Sequence, residues 1–170
     1  MEIVTKSSQE TKKLGEEVAN NLVDSGLWMV DSERAKHQTP NTEHSNVLAL
    51  TGGLGSGKTT FLQGFASGLG IEQRVISPTF IIMRKYDSRI KIQESRFKNF
   101  YHIDLYRLER NVEQDVKNLG LEEIWTNPEN IVAIEWAEKI KDSVPKSATW
   151  IKFKNLGGES RRISVNRLIS

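Results

Sequence analysis

The sequence predicts a three-layer α/β fold, with two layers the alternative, built around a mainly parallel sheet and closed by a C-terminal β-hairpin. Three observations carry this. Ile131-Val132-Ala133-Ile134 is a continuous apolar run, as expected of a strand covered on both faces of a parallel sheet. Residues 47–51 form a second short apolar run that passes through a glycine-rich turn into 59–69, where Leu62, Phe65, Ala66 and Leu69 resume helical spacing. Near the end, 148–154 and 161–165 are β-like and flank Asn155-Leu156-Gly157-Gly158-Glu159-Ser160, a turn sequence.

The remaining elements follow in chain order. Residues 7–23 place Thr11, Leu14, Val18 and Leu22 on one apolar helical face, and Ser7 followed by Glu10 reads as a capping box that starts the helix. Residues 31–46 are polar, aperiodic and contain a proline, which marks a surface excursion. Residues 75–83 are β-rich but broken at Ser77-Pro78, and 99–105 alternate as a further strand. Between these two lies a charged tongue, 84–98. The whole chain, 1–170, is expected to be a single domain.

Composition narrows the function classes. Apolar residues make up 37% and charged residues 27%, a globular balance. Lys and Arg number 24 against 22 Asp and Glu, a formal charge of +2, so no global field argues for nucleic-acid or membrane binding. With no cysteine there is no disulfide, no thiolate catalysis and no Cys-ligated zinc, which fits a reducing, cytoplasmic setting. No apolar run approaches the roughly 18 residues needed to span a bilayer, and the N-terminus lacks a signal-peptide core, so no membrane association is expected. His37, His44 and His102 are too dispersed to suggest a histidine metal site.

The chemistry concentrates in one motif. Gly52-Gly53-Leu54-Gly55-Ser56-Gly57-Lys58-Thr59 matches G-x-x-x-x-G-K-[ST] at every fixed position, between a predicted strand and a predicted helix. Glycines let the backbone curl so that N–H groups converge on phosphate oxygens, and the helix start adds its positive dipole end. The loop through Thr60 is therefore expected to hold a nucleoside triphosphate. Lys58 would reach the β- and γ-phosphates and the Thr59 hydroxyl would bind Mg²⁺. A turn that merely joined strand to helix would not need Lys and Thr after the last glycine. A lysine at a helix start also opposes the dipole unless an anion is present.

A P-loop NTPase also needs a carboxylate near the metal, normally at the end of a neighbouring apolar strand. Glu135 follows the run 131–134 and fits that place, at the C-terminal edge of the sheet where α/β ligand sites lie. Asp104, another strand-end carboxylate, could position water or complete the metal shell; the alternative is a structural ion pair with Arg107. The absence of N-K-x-D and D-x-x-G segments argues against a GTPase.

Taken together, Gly52 to Phe61, then Ser77-Pro78-Thr79-Phe80, then His102-Ile103-Asp104-Leu105-Tyr106-Arg107-Leu108, then Leu119-Gly120-Leu121-Glu122-Glu123, then Ile134-Glu135-Trp136-Ala137-Glu138 resemble the bacterial TsaE (YjeE) family in order and approximate spacing. The resemblance implies a P-loop ATPase acting in formation of N6-threonylcarbamoyladenosine in tRNA, beside the anticodon. The implied cofactors are ATP and Mg²⁺. The implied partners are TsaD, which carries the transferase site, and TsaB, with tRNA met through that complex. ATP hydrolysis would remodel or reset the TsaB–TsaD assembly between turnovers. By motif position, Lys58, Thr59 and Glu135 serve phosphates and metal, and Asp104 supports hydrolysis or partner coupling. Thr79 lies in a segment that senses the γ-phosphate, and Thr11 and Trp136 border the nucleotide.

The chain departs from the family pattern at Gly53, where relatives usually carry an Asp, and in the greater length of 31–46 and 84–98. The tongue holds Arg84, Lys85, Arg89, Lys91, Arg96 and Lys98 against Asp87 and Glu94, which suits either contact with tRNA phosphates or an acidic surface, or a solvated hairpin tip. Two other functions use the same loop: a small-molecule kinase, and a nucleotide-dependent scaffold with little hydrolysis.

Overall fold

The computed structural model describes residues 1–25, 46–87 and 97–167. Nearly all of the expected excursion at 31–46, and residues 88–96 of the expected tongue, lie outside the described residues. The elements are β1 (Glu2–Thr5), α1 (Ser8–Ser25), β2 (Val47–Thr51), α2 (Lys58–Gly68), β3 (Met83–Asp87), β4 (Asn99–Asp104), α3 (Val112–Asn118), α4 (Leu121–Thr126), β5 (Asn130–Glu135), a 3-10 turn (Ala137–Ile140), β6 (Thr149–Gly157) and β7 (Ser160–Arg167).

One sheet of seven strands runs in the order β1-β7-β6-β2-β5-β4-β3. Its centre, β6-β2-β5-β4, is parallel throughout. The edges are antiparallel: β3 on β4, and β7 on β6 as the expected hairpin, with β1 on β7. Because β1 reverses β7 and β7 reverses β6, five of the seven strands point the same way, which is the mainly parallel sheet the sequence predicts.

Strand alternation sorts the core into two sides. Leu48, Leu50, Phe100, Ile131 and Ala133 pack with α1 and α2. Val47, Ala49, Ile103, Val132 and Ile134 pack with α3, α4 and the 3-10 turn through Val116, Leu121, Trp125 and Ile140. Helices therefore cover both faces, and the architecture has three layers. Every residue of β5 is buried, in keeping with its unbroken apolar run. Among the described residues no helix is long and apolar enough to cross a membrane.

The expected face of α1 is buried at Thr11, Leu14, Val18 and Leu22. Its start is capped much as anticipated: Ser7 Oγ accepts from the Glu10 N–H at 3.1 Å, while the Glu10 carboxylate accepts from the Lys6 N–H at 2.7 Å, one residue upstream of the usual box. The helix lies against α2 at glycine distance. A Cβ placed on Gly64 would stand 1.8 Å from the Lys12 carbonyl oxygen, a contact that only backbone movement relieves. Gly64→Ala is expected to destabilise the fold by about 3 kcal/mol, on the scale of overpacked cores. In a chain of this size that lowers the melting temperature by on the order of 10 °C. Thermal denaturation followed by circular dichroism checks this, and an unchanged midpoint would mean that the helices are not packed this closely.

Four elements differ from expectation. The strand anticipated at 75–83 contributes only Met83; the observed strand is Met83–Asp87, so the first residues of the expected tongue are sheet, paired with β4. Pro78 explains the shift, because it has no N–H for a ladder and its carbonyl takes the N–H groups of both Ile81 and Ile82 in a turn. Ile82 then reverses the chain at φ 64°. The strand β1 and the short helices α3 and α4 gave no signal of their own. Four residues carry no alternation, and helices of seven and six residues carry fewer than two turns of period.

Candidate functional site

Between β2 and α2 the chain turns through left-handed backbone at Gly52 (φ 135°), Gly55 (φ 69°) and Gly57 (φ 101°). No L side chain adopts these angles without strain. At Gly52 the need is also spatial, since a Cβ would stand 2.4 Å from the Phe153 carbonyl oxygen of β6. Lys58 opens α2 and is buried. Its ammonium donates to the carbonyls of Gly52 at 2.7 Å and Gly53 at 3.1 Å. It also lies 4.3 Å from the centroid of the Trp136 ring. Burial lowers its pKa, against the opposing pull of the Glu135, Glu138 and Asp104 carboxylates. A phosphate brought to this loop would supply the anion that the loop's own carbonyls now stand in for.

The loop from Leu54 to Thr60 forms one wall of a cavity of about 440 Å³. Two carboxylates also line it. Asp104 ends β4 and Glu135 ends β5, and the parallel register sets the two residues side by side. Both are 3% exposed, at the C-terminal edge of the central strands. Glu135 Oε1 accepts from the Thr59 hydroxyl at 2.8 Å and contacts His102 Nε2 at 2.9 Å. Asp104 Oδ2 accepts from the hydroxyls of Ser77 and, at 2.7 Å, Thr79, while Oδ1 accepts from the Tyr106 N–H at 2.9 Å. The ion-pair alternative for Asp104 finds no support among the described residues: Arg107 stacks instead on the Phe80 ring, at 4.1 Å from its centroid.

The expected residues from Leu54 to Thr60, with Thr79, Asp104, Glu135 and Trp136, thus line one cavity. Two others are placed elsewhere. Gly53 is outside the lining and contributes its carbonyl to Lys58. Thr11 is also outside it, buried against Thr5 at 2.7 Å and bonded to the Ser7 carbonyl at 3.1 Å. Sequence reasoning assigned no site role to Ser77, His102 or Arg161, nor to Phe80, Tyr106 and Arg107, which line the cavity. Ser77 precedes Pro78 in a motif already singled out, and His102 lies two positions before Asp104 on the same strand, so period-two alternation gives both one face. Arg161 gave no local signal; the β6–β7 hairpin brings it to the cavity, where its side chain lies along Gly57 and its Nη1 donates to the Gly158 and Ser160 carbonyls, each at 2.8 Å.

Among the described residues no three acidic or histidine side chains cluster into a self-sufficient metal cage. The donors present are the Thr59 hydroxyl and the Glu135 carboxylate beside a phosphate-type loop, a set that suits a cation sharing its shell with phosphate oxygens and water. Of the cavity-lining residues, Leu54 and Phe80 stand largely exposed, at 76% and 81%, and Ile81, next to Phe80, is 56% exposed.

The model of the family described as "Threonylcarbamoyl adenosine biosynthesis protein TsaE" matches residues 5–163. Among curated proteins, the chain is similar to the tRNA threonylcarbamoyladenosine biosynthesis protein TsaE of Bacillus subtilis, 39% identical over 119 residues that span 70% of this chain and 68% of that one. It is also similar to the protein of the same name from Treponema pallidum, 29% identical over 165 residues, 97% and 99% of the two chains. Among solved structures, it matches the crystal structure of YdiB from Bacillus subtilis with a TM-score of 0.66 at 27% identity, over 99% of this chain and 85% of that one.

Proposed function

Since this chain belongs to the TsaE family of threonylcarbamoyl adenosine biosynthesis proteins, we propose that it is a Mg²⁺-dependent ATPase that acts on a TsaB–TsaD complex during N6-threonylcarbamoyladenosine formation in tRNA. In this reading residues 1–170 form one cytoplasmic ATPase domain, and tRNA is met through the partners. The observation that carries it is the convergence, in one cavity, of a fully matched phosphate loop with a strand-end carboxylate 2.8 Å from the Thr59 hydroxyl.

Each residue then has a task. Backbone N–H groups of 54–60 and the start of α2 bind the phosphates, and Lys58 exchanges the Gly52 and Gly53 carbonyls for phosphate oxygens. Thr59 and Glu135 would hold Mg²⁺, which neutralises charge on the β- and γ-phosphates when bound. Asp104 orients the attacking water, and Thr79 couples the loop 77–82 to it through their hydrogen bond. Trp136 walls the cavity beside Lys58.

Both oxygens of Asp104 are occupied by protein donors. These three bonds use three of the carboxylate's roughly four acceptor sites, so loosening of the Ser77–Thr79 loop would free Asp104 to hold water more fully, a step that a docked partner would drive through the exposed Phe80 and Ile81. If Asp104 never engages water, the chain works as a nucleotide-dependent scaffold. Reconstituted tRNA modification with TsaB, TsaD and a supply of threonylcarbamoyl adenylate separates the two readings. Hydrolysis predicts many modified tRNAs per complex with ATP and about one with a non-hydrolysable analogue. Equal yields with both nucleotides would favour the scaffold.

A further inference from the structure

We propose that His102 is a positioning residue for Glu135, fixing the carboxylate that serves the metal side of the phosphate loop; the inference rests on the functional reading above. His102 occupies β4 opposite Ala133 of β5 and two residues before Asp104. Its ring is fully buried, with Nε2 2.9 Å from Glu135 Oε1. The other ring nitrogen, Nδ1, is buried without a hydrogen-bond partner among the described residues. Burying an unpaired polar nitrogen is unfavourable compared with an apolar side chain of the same size, so packing alone does not account for an imidazole here. Its contact with Glu135 does.

That contact has a geometric consequence. Oε1 takes two donors from two different elements, the Thr59 hydroxyl on α2 and His102 Nε2 on β4. Donors on separate rigid elements fix the plane of a carboxylate better than either alone, and Oε2 takes part in neither bond. The Thr59 hydroxyl would be shared with a metal in a nucleotide-bound state, whereas His102, which does not line the cavity, would keep the same role throughout. Groups that orient a metal's carboxylate in this way typically contribute about 10- to 100-fold in metal affinity.

The test uses the full chain with ADP and Mn²⁺, following free Mn²⁺ by electron paramagnetic resonance, and measures ADP affinity separately in chelator. His102→Leu is expected to weaken Mn²⁺ binding about 10- to 100-fold and to leave metal-free ADP affinity unchanged. His102→Gln places an amide Nε2 donor near the same point and is expected to restore metal affinity. On a Glu135→Ala background His102→Leu is expected to add no further loss, since the two act as one unit. Wild-type Mn²⁺ affinity in His102→Leu, a Gln variant no better than Leu, or an undiminished loss without Glu135 would each overturn the inference. If the Leu variant does not fold by circular dichroism, His102→Asn, whose amide stops short of Glu135, is expected to show the same loss, and wild-type affinity there overturns it equally. Failure of the unmodified chain to bind Mn²⁺ with ADP would overturn the functional reading and this inference together.

Discussion

Lys58→Ala is expected to lower ATP turnover by at least about 10²-fold, the scale on which a preorganised donor to developing charge is lost, and to weaken Mg·ATP binding in parallel. The ammonium is buried and holds the two loop carbonyls. Its removal leaves those carbonyls to solvent and deprives the phosphates of the only cationic side chain rooted in the loop 52–60. Because the left-handed angles of Gly52, Gly55 and Gly57 are independent of the lysine, the loop itself persists, and the loss is one of charge rather than of fold. Calorimetry with Mg·ATP and phosphate release under saturating nucleotide check the two parts. Wild-type turnover in this variant would remove Lys58 from the site.

Asp104→Asn is expected to separate binding from chemistry: Mg·ATP affinity close to the unmodified chain, with turnover lowered about 10²-fold or more, as for loss of a positioned general base. The replacement is isosteric, so the Tyr106 N–H keeps an acceptor, and the hydroxyls of Ser77 and Thr79 can reorient toward an amide. What is removed is the charge proposed to order water and the strength of the tie to the loop 77–82. Calorimetry paired with reconstituted tRNA modification checks this. Unimpaired repeated modification would show that Asp104 only braces that loop.

The parts of this site legible in the sequence are those encoded by neighbours. The phosphate loop is one contiguous motif, and Glu135 is announced by the apolar run before it, because a buried parallel strand must deliver its first polar residue to the strand end. The three layers and the C-terminal hairpin were legible for the same reason, as periodicity over long segments. What was not legible depends on register between distant segments. Arg161 reaches the cavity because β7 pairs with β6, and β6 with β2. His102 meets Glu135 because β4 and β5 align in parallel, which alternation on one strand can suggest and only the pairing can fix. The misplacement of β3 has a local cause: Pro78 redirects two N–H donors to one carbonyl and moves the strand downstream. Thr11 was assigned through resemblance to the family, and the structure places it with Thr5 and Ser7, outside the cavity lining.

The most direct test of ATP hydrolysis at this loop is inorganic phosphate release from ATP by the purified chain, with and without Mg²⁺, alone and with cognate TsaB and TsaD. Slow release that requires Mg²⁺, rises on addition of the partners and disappears in Lys58→Ala is the expected result. Release that is indifferent to Mg²⁺ and to Lys58, or none at all even with both partners present, would contradict it.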